Sequence, residues 1–258
     1  MENSCVIGYG VVGQATALLF GIEKHFDIDE QKSNMTLQEA AKCKFVFICL
    51  PTPIDADGNY VVSDIIATIK QIEQYGGANT YVIRSTVFPG FALHLQEELG
   101  ISNIVSNPEF LTESTWKNDT LHAPFVLLGG FPGIFIESLK GIYQARLKGA
   151  EIIVTDNTTA ELAKLSLNGF FSLKVIYANE TYDYAKKINA NYETIKRVLE
   201  AHPFGPRNHF SVWFNGRRGV HGKCLPKDSK ALAHYGGGEL AGKAVELNEN
   251  YAHQRNEN

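Results

Sequence analysis

Short apolar runs alternate with amphipathic stretches along the first part of the chain. This alternation is typical of β-α units whose strands form a parallel sheet. The run Phe45–Leu50 is apolar at every position, as expected of a central strand that is buried on both faces. The predicted strands are Cys5–Gly8, His25–Ile28, Phe45–Leu50, Tyr81–Ser85, Ile104–Ser106, Phe125–Gly129 and Glu151–Thr155. The predicted helices between them include Thr16–Ile22, Ser63–Gln74 and Gly133–Lys148.

The pattern changes near residue 156. A stretch from about Asn157 to about Lys187 has helical spacing and contains no proline. Further helices are predicted over Tyr192–Ala201, Lys227–Tyr235 and Leu240–Asn256. We therefore predict two domains, an α/β domain over residues 1–156 and an all-helical domain over residues 157–258.

Composition and charge exclude several classes of protein. The 258 residues include 24 basic and 28 acidic side chains, and the net charge of −4 argues against a nucleic-acid partner. No apolar run approaches the roughly 20 residues that a membrane helix needs, and no secretory signal is present. The 4 cysteines are too scattered for a disulfide framework or a zinc site. We expect a cytoplasmic protein with no membrane segment.

A glycine-rich motif follows the first predicted strand. Gly8, Gly10 and Gly13 form the pattern GxGxxG. Such glycines allow a tight turn, the close approach of a pyrophosphate and the packing of a helix on a strand. The phosphates bind N–H groups at the helix N-terminus, where Val11 and Val12 lie. The motif predicts a Rossmann-type sheet that binds a dinucleotide.

An acidic residue at the end of the second strand suggests which dinucleotide is bound. Asp27 lies nineteen residues after Gly8, close to the spacing expected for a carboxylate that binds a ribose hydroxyl. A carboxylate there repels the 2′-phosphate of NADP, so NAD is favoured. Asp29 lies near the same spacing, and the spacing alone leaves both candidates open.

Five sequence blocks then carry a resemblance to a known family. The blocks are Leu50–Pro53 with Asp57-Gly58, Ser85–Gly90, Asn107–Glu113, Ala160–Lys164 with Asn168, and Gly222–Asp228. In this order they resemble the nucleotide-sugar dehydrogenases, the family of UDP-glucose 6-dehydrogenase. The resemblance implies an NAD-binding Rossmann domain and a central helical domain that forms a homodimer. The family's strand end matches Asp27 through Lys32, which favours Asp27 for the ribose and adds Lys32 to the cofactor site.

The family reaction assigns a role to one of the four cysteines. The resemblance implies that a sugar CH₂OH is oxidised to a carboxylate in two hydride transfers to NAD, through a covalent adduct on a thiol that matches Cys224. Independently, Pro226 suits the first turn of a helix, which places Cys224 just before a helix N-terminus. The helix dipole favours a thiolate there.

Other blocks contain candidate polar groups for the same reaction. Lys164 and Asn168 are four residues apart, so on one helix they share a face and can stabilise an oxyanion. The resemblance implies that Asp228 positions a catalytic water with Thr86. It also implies that Glu109 takes part in thioester hydrolysis.

The resemblance implies further contacts to both ligands. The remaining cofactor contacts are expected at Pro51, Thr52, Pro53, Ser85, Thr86 and Glu113. Substrate contacts are expected at Phe110, Leu111, Arg207, Asn215, Gly219 and Gly222, with Arg207 reaching the site of the neighbouring subunit. Arg217 and Arg218 precede Cys224, where they either meet a pyrophosphate or are merely exposed.

The sequence also departs from the family in its length. Full-length members continue through a long helix into a second Rossmann-like domain, whereas this sequence ends where that helix would be under way. We expect a shortened member that lacks the C-terminal UDP-binding domain. UDP-glucose is the favoured substrate. The alternatives are a UDP-N-acetylhexosamine or GDP-mannose, a short β-hydroxyacid dehydrogenase, or a non-catalytic binding subunit.

Overall fold

One sheet of seven strands forms the first part of the molecule. The computed structural model describes residues 3–77, 79–131, 133–203, 208–236 and 238–254. The strands are β1 (Ser4–Ile7), β2 (His25–Phe26), β3 (Phe45–Ile48), β4 (Thr80–Ile83), β5 (Ile104–Ser106), β6 (Phe125–Gly129) and β7 (Glu151–Thr155). Their order is β2-β1-β3-β4-β5-β6-β7, and neighbouring strands are parallel except β5 and β6. The predicted α/β class with a Rossmann-type sheet is confirmed.

Helices connect these strands and make up most of the rest of the chain. They are α1 (Val11–Phe20), α2 (Leu37–Ala40), α3 (Ser63–Glu73), α4 (Phe91–Leu99), α5 (Trp116–Leu121), α6 (Ile134–Arg146), α7 (Asn157–Lys187), α8 (Tyr192–Ala201), α9 (Leu225–His234) and α10 (Gly238–Ala252). No described helix combines the length and the apolar character that a membrane span requires.

The core of the sheet lies on both of its faces. Successive side chains of a strand point to opposite faces, and in β1 the side chains of Cys5 and Ile7 enter one apolar cluster while Val6 enters another. Helices cover both clusters, which include Ile69 of α3 on one face and Leu139 of α6 on the other. This packing fixes the strands from whose carboxyl ends the following loops extend.

Residue contacts divide the chain into two compact units. The first comprises Met1–Pro53 and Tyr60–Lys164, and the second comprises Ile54–Asn59 and Leu165–Asn258. The boundary predicted from the sequence, between residues 156 and 157, coincides with the beginning of α7. As a domain boundary it stays a prediction.

The second unit contains a hairpin in addition to its helices. Strands β8 (Trp213–Phe214) and β9 (Arg217–Arg218) pair antiparallel. The two residues between them, Asn215 and Gly216, have φ angles of 50° and 73°. Positive φ at both positions is the geometry of a type I′ turn, which favours Asn-Gly. The hairpin interrupts the region that the sequence predicts to be all-helical.

Candidate active site

The glycine-rich loop has the geometry that its sequence predicts. Gly8 has φ of +88°, and a Cβ there would lie 2.6 Å from the carbonyl oxygen of Cys49. A Cβ on Gly13 would lie 1.9 Å from the carbonyl oxygen of Gly8, so this glycine lets α1 pack against the loop. A Cβ on Gly10 would meet nothing within 4 Å. The open space is therefore at Gly10, beside the first turn of α1, where Val11 and the following residue present N–H groups.

Asp27 and Asp29 have different surroundings. The carboxylate of Asp27 accepts a hydrogen bond of 2.7 Å from the backbone N–H of Tyr9, within the glycine-rich loop. Asp29 instead pairs with Lys32 at 3.0 Å and accepts a hydrogen bond from the N–H of Gln31. The hydrogen bond from Lys32 lowers the pKa of Asp29. Asp27 is thus the carboxylate beside the loop, while Asp29 and Lys32 satisfy each other in an exposed turn.

The loops after β3 and β4 are tied together. The hydroxyl of Thr52 donates to the carbonyl oxygen of Thr86 at 2.6 Å. The hydroxyl of Ser85 donates in the opposite direction, to the carbonyl oxygen of Leu50 at 2.7 Å. Thr52 and Ser85 are buried, whereas the two prolines flanking Thr52 are exposed. The predicted cofactor residues of these loops therefore form one continuous edge at the carboxyl ends of neighbouring parallel strands.

A buried ion pair joins the loop after β5 to α7. The ammonium of Lys164 lies 3.3 Å from the carboxylate of Glu109, and the two side chains are 6% and 11% exposed. The second oxygen of Glu109 accepts a hydrogen bond of 2.6 Å from the N–H of Leu111. Lys164 also lies over the ring of Phe110, 5.3 Å from its centroid. The ring and the carboxylate hold the ammonium in one place.

The contacts described above do not test the predictions for Glu113 and Arg207. Glu113 is exposed in the loop that precedes α5. Arg207 lies outside the described residues. The expected contacts of Glu113 with the cofactor and of Arg207 with a partner's substrate stay predictions.

Asp228 and Asn168 form a second buried polar pair. The side-chain amide of Asn168 donates to Asp228 at 2.6 Å, and the carboxylate is 1% exposed. The ammonium of Lys227 lies 2.7 Å from the other oxygen of the carboxylate. Burying a carboxylate is costly unless it is paired and hydrogen-bonded. Here both oxygens have a partner, so the carboxylate is held in one orientation.

Cys224 differs from the other cysteines in its exposure. It is exposed and immediately precedes α9 as its N-cap residue, with Pro226 in the first turn. Its carbonyl oxygen accepts the N–H of Asp228 at 2.8 Å, which begins the helix. The cysteines at positions 5, 43 and 49 are buried, and burial raises the pKa of Cys49 to about 11. Cys224 is therefore the exposed cysteine of the four.

Two glycines in the loop before Cys224 have different surroundings. Gly219 has φ of +85°, and a Cβ there would lie 2.5 Å from the side-chain oxygen of Asn248. Gly222 has φ of +94°, but a Cβ would meet nothing within 4 Å. Asn215 is the first residue of the hairpin turn. Packing therefore explains Gly219, whereas Gly222 leaves open space two residues from the thiol.

The sequence leaves two alternatives for Arg218, a contact with a pyrophosphate or an exposed position. The structure shows neither. It is 4% exposed, and its guanidinium bonds the side-chain and main-chain oxygens of Asn179 at 3.0 and 3.1 Å. It also pairs with Asp183 at 2.9 Å and lies over the ring of Tyr251. Arg218 therefore joins α7, β9 and α10, whereas Arg217 is exposed. Successive side chains of a strand point to opposite faces, so Arg217 is exposed and Arg218 is buried. A predicted hairpin would have indicated this difference between the two arginines.

Comparison with known proteins shows which family the chain matches. Residues 30–147 match the NAD binding domain of the UDP-glucose/GDP-mannose dehydrogenase family, and residues 158–250 match its central domain. The chain belongs to this family. The glycine-rich loop and Asp27 precede the first matched segment, whereas Glu109, Lys164 and Cys224 lie within the matched segments. The cofactor of the first matched domain is NAD.

Individual family members match most of this chain. A UDP-glucose 6-dehydrogenase of Rickettsia bellii is 30% identical over 201 residues, which make up 76% of this chain and 45% of the relative. The same enzyme of Campylobacter jejuni is 26% identical over 88% of this chain and 66% of its own length. A solved UDP-glucose dehydrogenase from Pyrobaculum islandicum superposes with a TM-score of 0.83 at 25% identity, over 96% of this chain and 68% of that one. The chain thus spans between about half and two thirds of these family members.

Proposed function

We propose that this protein is an NAD-dependent dehydrogenase that oxidises a nucleotide sugar at C6 to the uronic acid, with UDP-glucose as the substrate. The observation that carries the proposal is the exposed Cys224 at the start of α9, one helical turn before the buried Asp228–Asn168 pair. A dehydrogenase that stops at the aldehyde has no need for such a thiol. The Rickettsia and Campylobacter relatives, both UDP-glucose 6-dehydrogenases, support UDP-glucose.

The glycine-rich loop fits the pyrophosphate of NAD. The space beside Gly10 admits the phosphates, and the N–H groups of Val11 and Val12 favour their negative charge. Asp27, which accepts the N–H of Tyr9, is proposed to bind the ribose hydroxyls and to disfavour NADP. Further cofactor contacts are proposed at Lys32, Pro51, Thr52, Pro53, Ser85, Thr86 and Glu113.

The first oxidation converts the C6 alcohol to an aldehyde. When bound, NAD accepts the hydride that leaves C6 in each of the two oxidations. The hydroxyl proton passes to a water that we assign to Asp228 and Thr86. The cation of Lys164 and the amide of Asn168 stabilise the developing alkoxide. The proposal draws support from the rigid hold on two of these groups, Lys164 by Glu109 and Asp228 by Asn168.

The second oxidation uses Cys224 as a nucleophile. Its thiolate adds to the aldehyde carbon and forms a thiohemiacetal, whose C–H then supplies the second hydride. Loss of that hydride leaves a thioester. Water adds to the thioester with Glu109 as the assigned base, and the carboxylate leaves as the thiol is restored. Each sugar therefore consumes two NAD and one water and yields two NADH.

Further residues are assigned to the substrate and to a second subunit. Phe110, Leu111, Asn215, Gly219 and Gly222 are proposed to contact the sugar nucleotide. We also propose a homodimer through the helical region, in which Arg207 completes the site of the partner. An apolar stripe on α7 supports it, because side chains seven residues apart share a helix face and are more than half exposed. They are Phe170 at 51%, Tyr177 at 53% and Tyr184 at 65%.

The test is NADH formation with a panel of UDP- and GDP-sugars, combined with the mass of the product. UDP-glucose should yield two NADH per sugar and the uronic acid. Cys224→Ala should release or accumulate the aldehyde, because the second hydride requires the covalent adduct. Cys224→Ser serves as the matched variant, since its hydroxyl is of similar size and a far poorer nucleophile. Acid formed by Cys224→Ala at the wild-type rate would exclude the covalent mechanism. If NADH formed only with another nucleotide sugar, that sugar and not UDP-glucose would be the substrate.

A further inference from the structure

The first two turns of α7 are bonded to the end of β5 and to the loop after it. Asn157, Glu161 and Lys164 are spaced i, i+4 and i+7, so they lie on one face of the helix. Asn157 accepts the N–H of Ser106 at 2.8 Å, and its amide donates to the carbonyl oxygen of Ile104 at 3.4 Å. The beginning of α7 is therefore bonded to the carboxyl end of β5.

Glu161 makes the second attachment. One carboxylate oxygen accepts the hydroxyl of Ser106 at 2.8 Å and the N–H of Ala92 at 3.1 Å. The other accepts the N–H groups of Gly90 and Phe91 at 2.7 and 3.2 Å. Glu161 is 3% exposed, and it satisfies N–H groups at the N-terminus of α4 that have no partner within that helix. Burial raises the pKa of Glu161, and these four donors limit the rise because they favour the ionised form.

The same loop ends at the ion pair between Glu109 and Lys164. Glu109 lies three residues after Ser106, and Lys164 lies three residues after Glu161. Ser106 is bonded to Asn157 and Glu161, and Glu109 is bonded to Lys164. Helix and loop are thus bonded to each other at Ser106 and again at Glu109, which couples the position of Ser106 to the contact between the ammonium and the carboxylate.

We propose that Glu161 and Asn157 are positioning residues that set the contact between Lys164 and Glu109. The proposal rests on the proposed function for its catalytic meaning, because only then does the placement of the Lys164 ammonium govern the oxidation. Its structural content, that Glu161 holds Lys164 in its buried position, is independent of any substrate.

The experiment measures how fast Lys164 reacts with an amine-acylating reagent, with mass spectrometry of its peptide. In the wild-type chain Lys164 should react slowly, because its side chain is 6% exposed and paired. Glu161→Ala should react faster by about tenfold, as expected when hydrogen bonds that oppose local opening are removed. Glu161→Gln keeps part of the acceptor set and should lie between them. Leu162→Ala, at an exposed position of the same turn, is the matched control and should react like wild type.

A kinetic readout then separates positioning from stability. Glu161→Gln should lower kcat for NADH formation more than it raises KM for NAD, because the glycine-rich loop is untouched. Unchanged labelling of Lys164 in the folded Glu161→Ala chain would overturn the proposal. If that variant does not fold, Glu161→Gln and Asn157→Ala provide the same comparison. Failure of every sugar to yield NADH would refute the proposed function, whereas the labelling rates would still decide the role of Glu161.

Discussion

Two glycines of the glycine-rich loop should respond in different ways to the same added methyl group. In Gly13→Ala the new Cβ would lie 1.9 Å from the carbonyl oxygen of Gly8 and 3.2 Å from the Val6 side chain. In Gly10→Ala it would meet no protein atom within 4 Å. We therefore expect Gly13→Ala to destabilise the fold and Gly10→Ala to weaken NAD binding in a folded chain.

The magnitudes follow from the contacts. Gly10 has φ of −73°, which alanine adopts readily. The free energy of unfolding of Gly10→Ala should therefore change by less than about 1 kcal/mol. The overlap at Gly13 is with backbone, which cannot rotate away, so it should cost about 3 kcal/mol or more. In a chain of this size that cost lowers Tm by about 6–12 °C. A methyl group between Gly10 and the pyrophosphate should weaken NAD binding about 100-fold, or by about 2.8 kcal/mol.

Thermal unfolding and calorimetric titration with NAD provide the assay. Gly141→Ala is the control, because a Cβ at this position of α6 also meets nothing within 4 Å and lies far along the chain from the loop. It should bind NAD like wild type. Wild-type affinity for NAD in Gly10→Ala would show that the cofactor does not approach this glycine. A wild-type Tm in Gly13→Ala would refute the packing argument.

Three further variants or treatments test other parts of the molecule. Asp27→Asn should narrow the preference for NAD over NADP in calorimetry, and equal affinities in the wild-type chain would exclude the assigned role of Asp27. Iodoacetamide at pH 8 should modify Cys224 well before Cys49, whose pKa burial raises to about 11, and equal modification of the two peptides would contradict this order. Arg218→Lys keeps the charge but loses the planar fork that bonds Asn179, so Tm should fall by about 4–8 °C for a loss of about 2 kcal/mol. An unchanged Tm would mean that the fork is dispensable.

The strands could be predicted from the sequence because their pattern reflects burial on both faces of one sheet. The predicted bounds of β5, β6 and β7 agree with the structure. Helix α1 is a different case, since it begins at Val11 rather than at the predicted Thr16. Glycine is a poor helix former, yet Gly13 lies within α1 because only a residue without a side chain fits against Gly8. Tertiary packing therefore overrides the local preference at this position.

The hairpin has a local sequence signal, although the region around it is predicted to be helical. Asn215-Gly216 is the dipeptide that a two-residue type I′ turn favours, and it connects β8 and β9. The strands on either side contain only two residues each, too few for an alternating pattern to stand out. The burial of Arg218 follows from this hairpin, so it could not be inferred from a sequence interpreted as helical.

The pairings of the site lie beyond what spacing alone determines. Asn168 and Asp228 are separated by 60 residues and Glu109 and Lys164 by 55, and their contacts depend on how α7 packs. The resemblance to the family implies chemical roles for these residues, which stay predictions, whereas only the structure shows which side chains they contact. A buried residue such as Glu161, with no catalytic chemistry of its own, has no distinguishing sequence signal beyond its place in the block that contains Lys164.

The sheet topology explains why the functional blocks are so widely separated along the chain. Parallel strands present their carboxyl ends at one edge, and the strand order reverses direction between β1 and β3, where a crevice forms in sheets of this kind. The glycine-rich loop follows β1, Asp27 follows β2, Thr52 follows β3 and Ser85 follows β4. Each block therefore reaches the same edge because a helix returns the chain to its opposite end. The antiparallel pairing of β5 with β6 ends this series. Accordingly, the last block of the sheet, at Glu109, is completed by a residue of α7 rather than by another strand end.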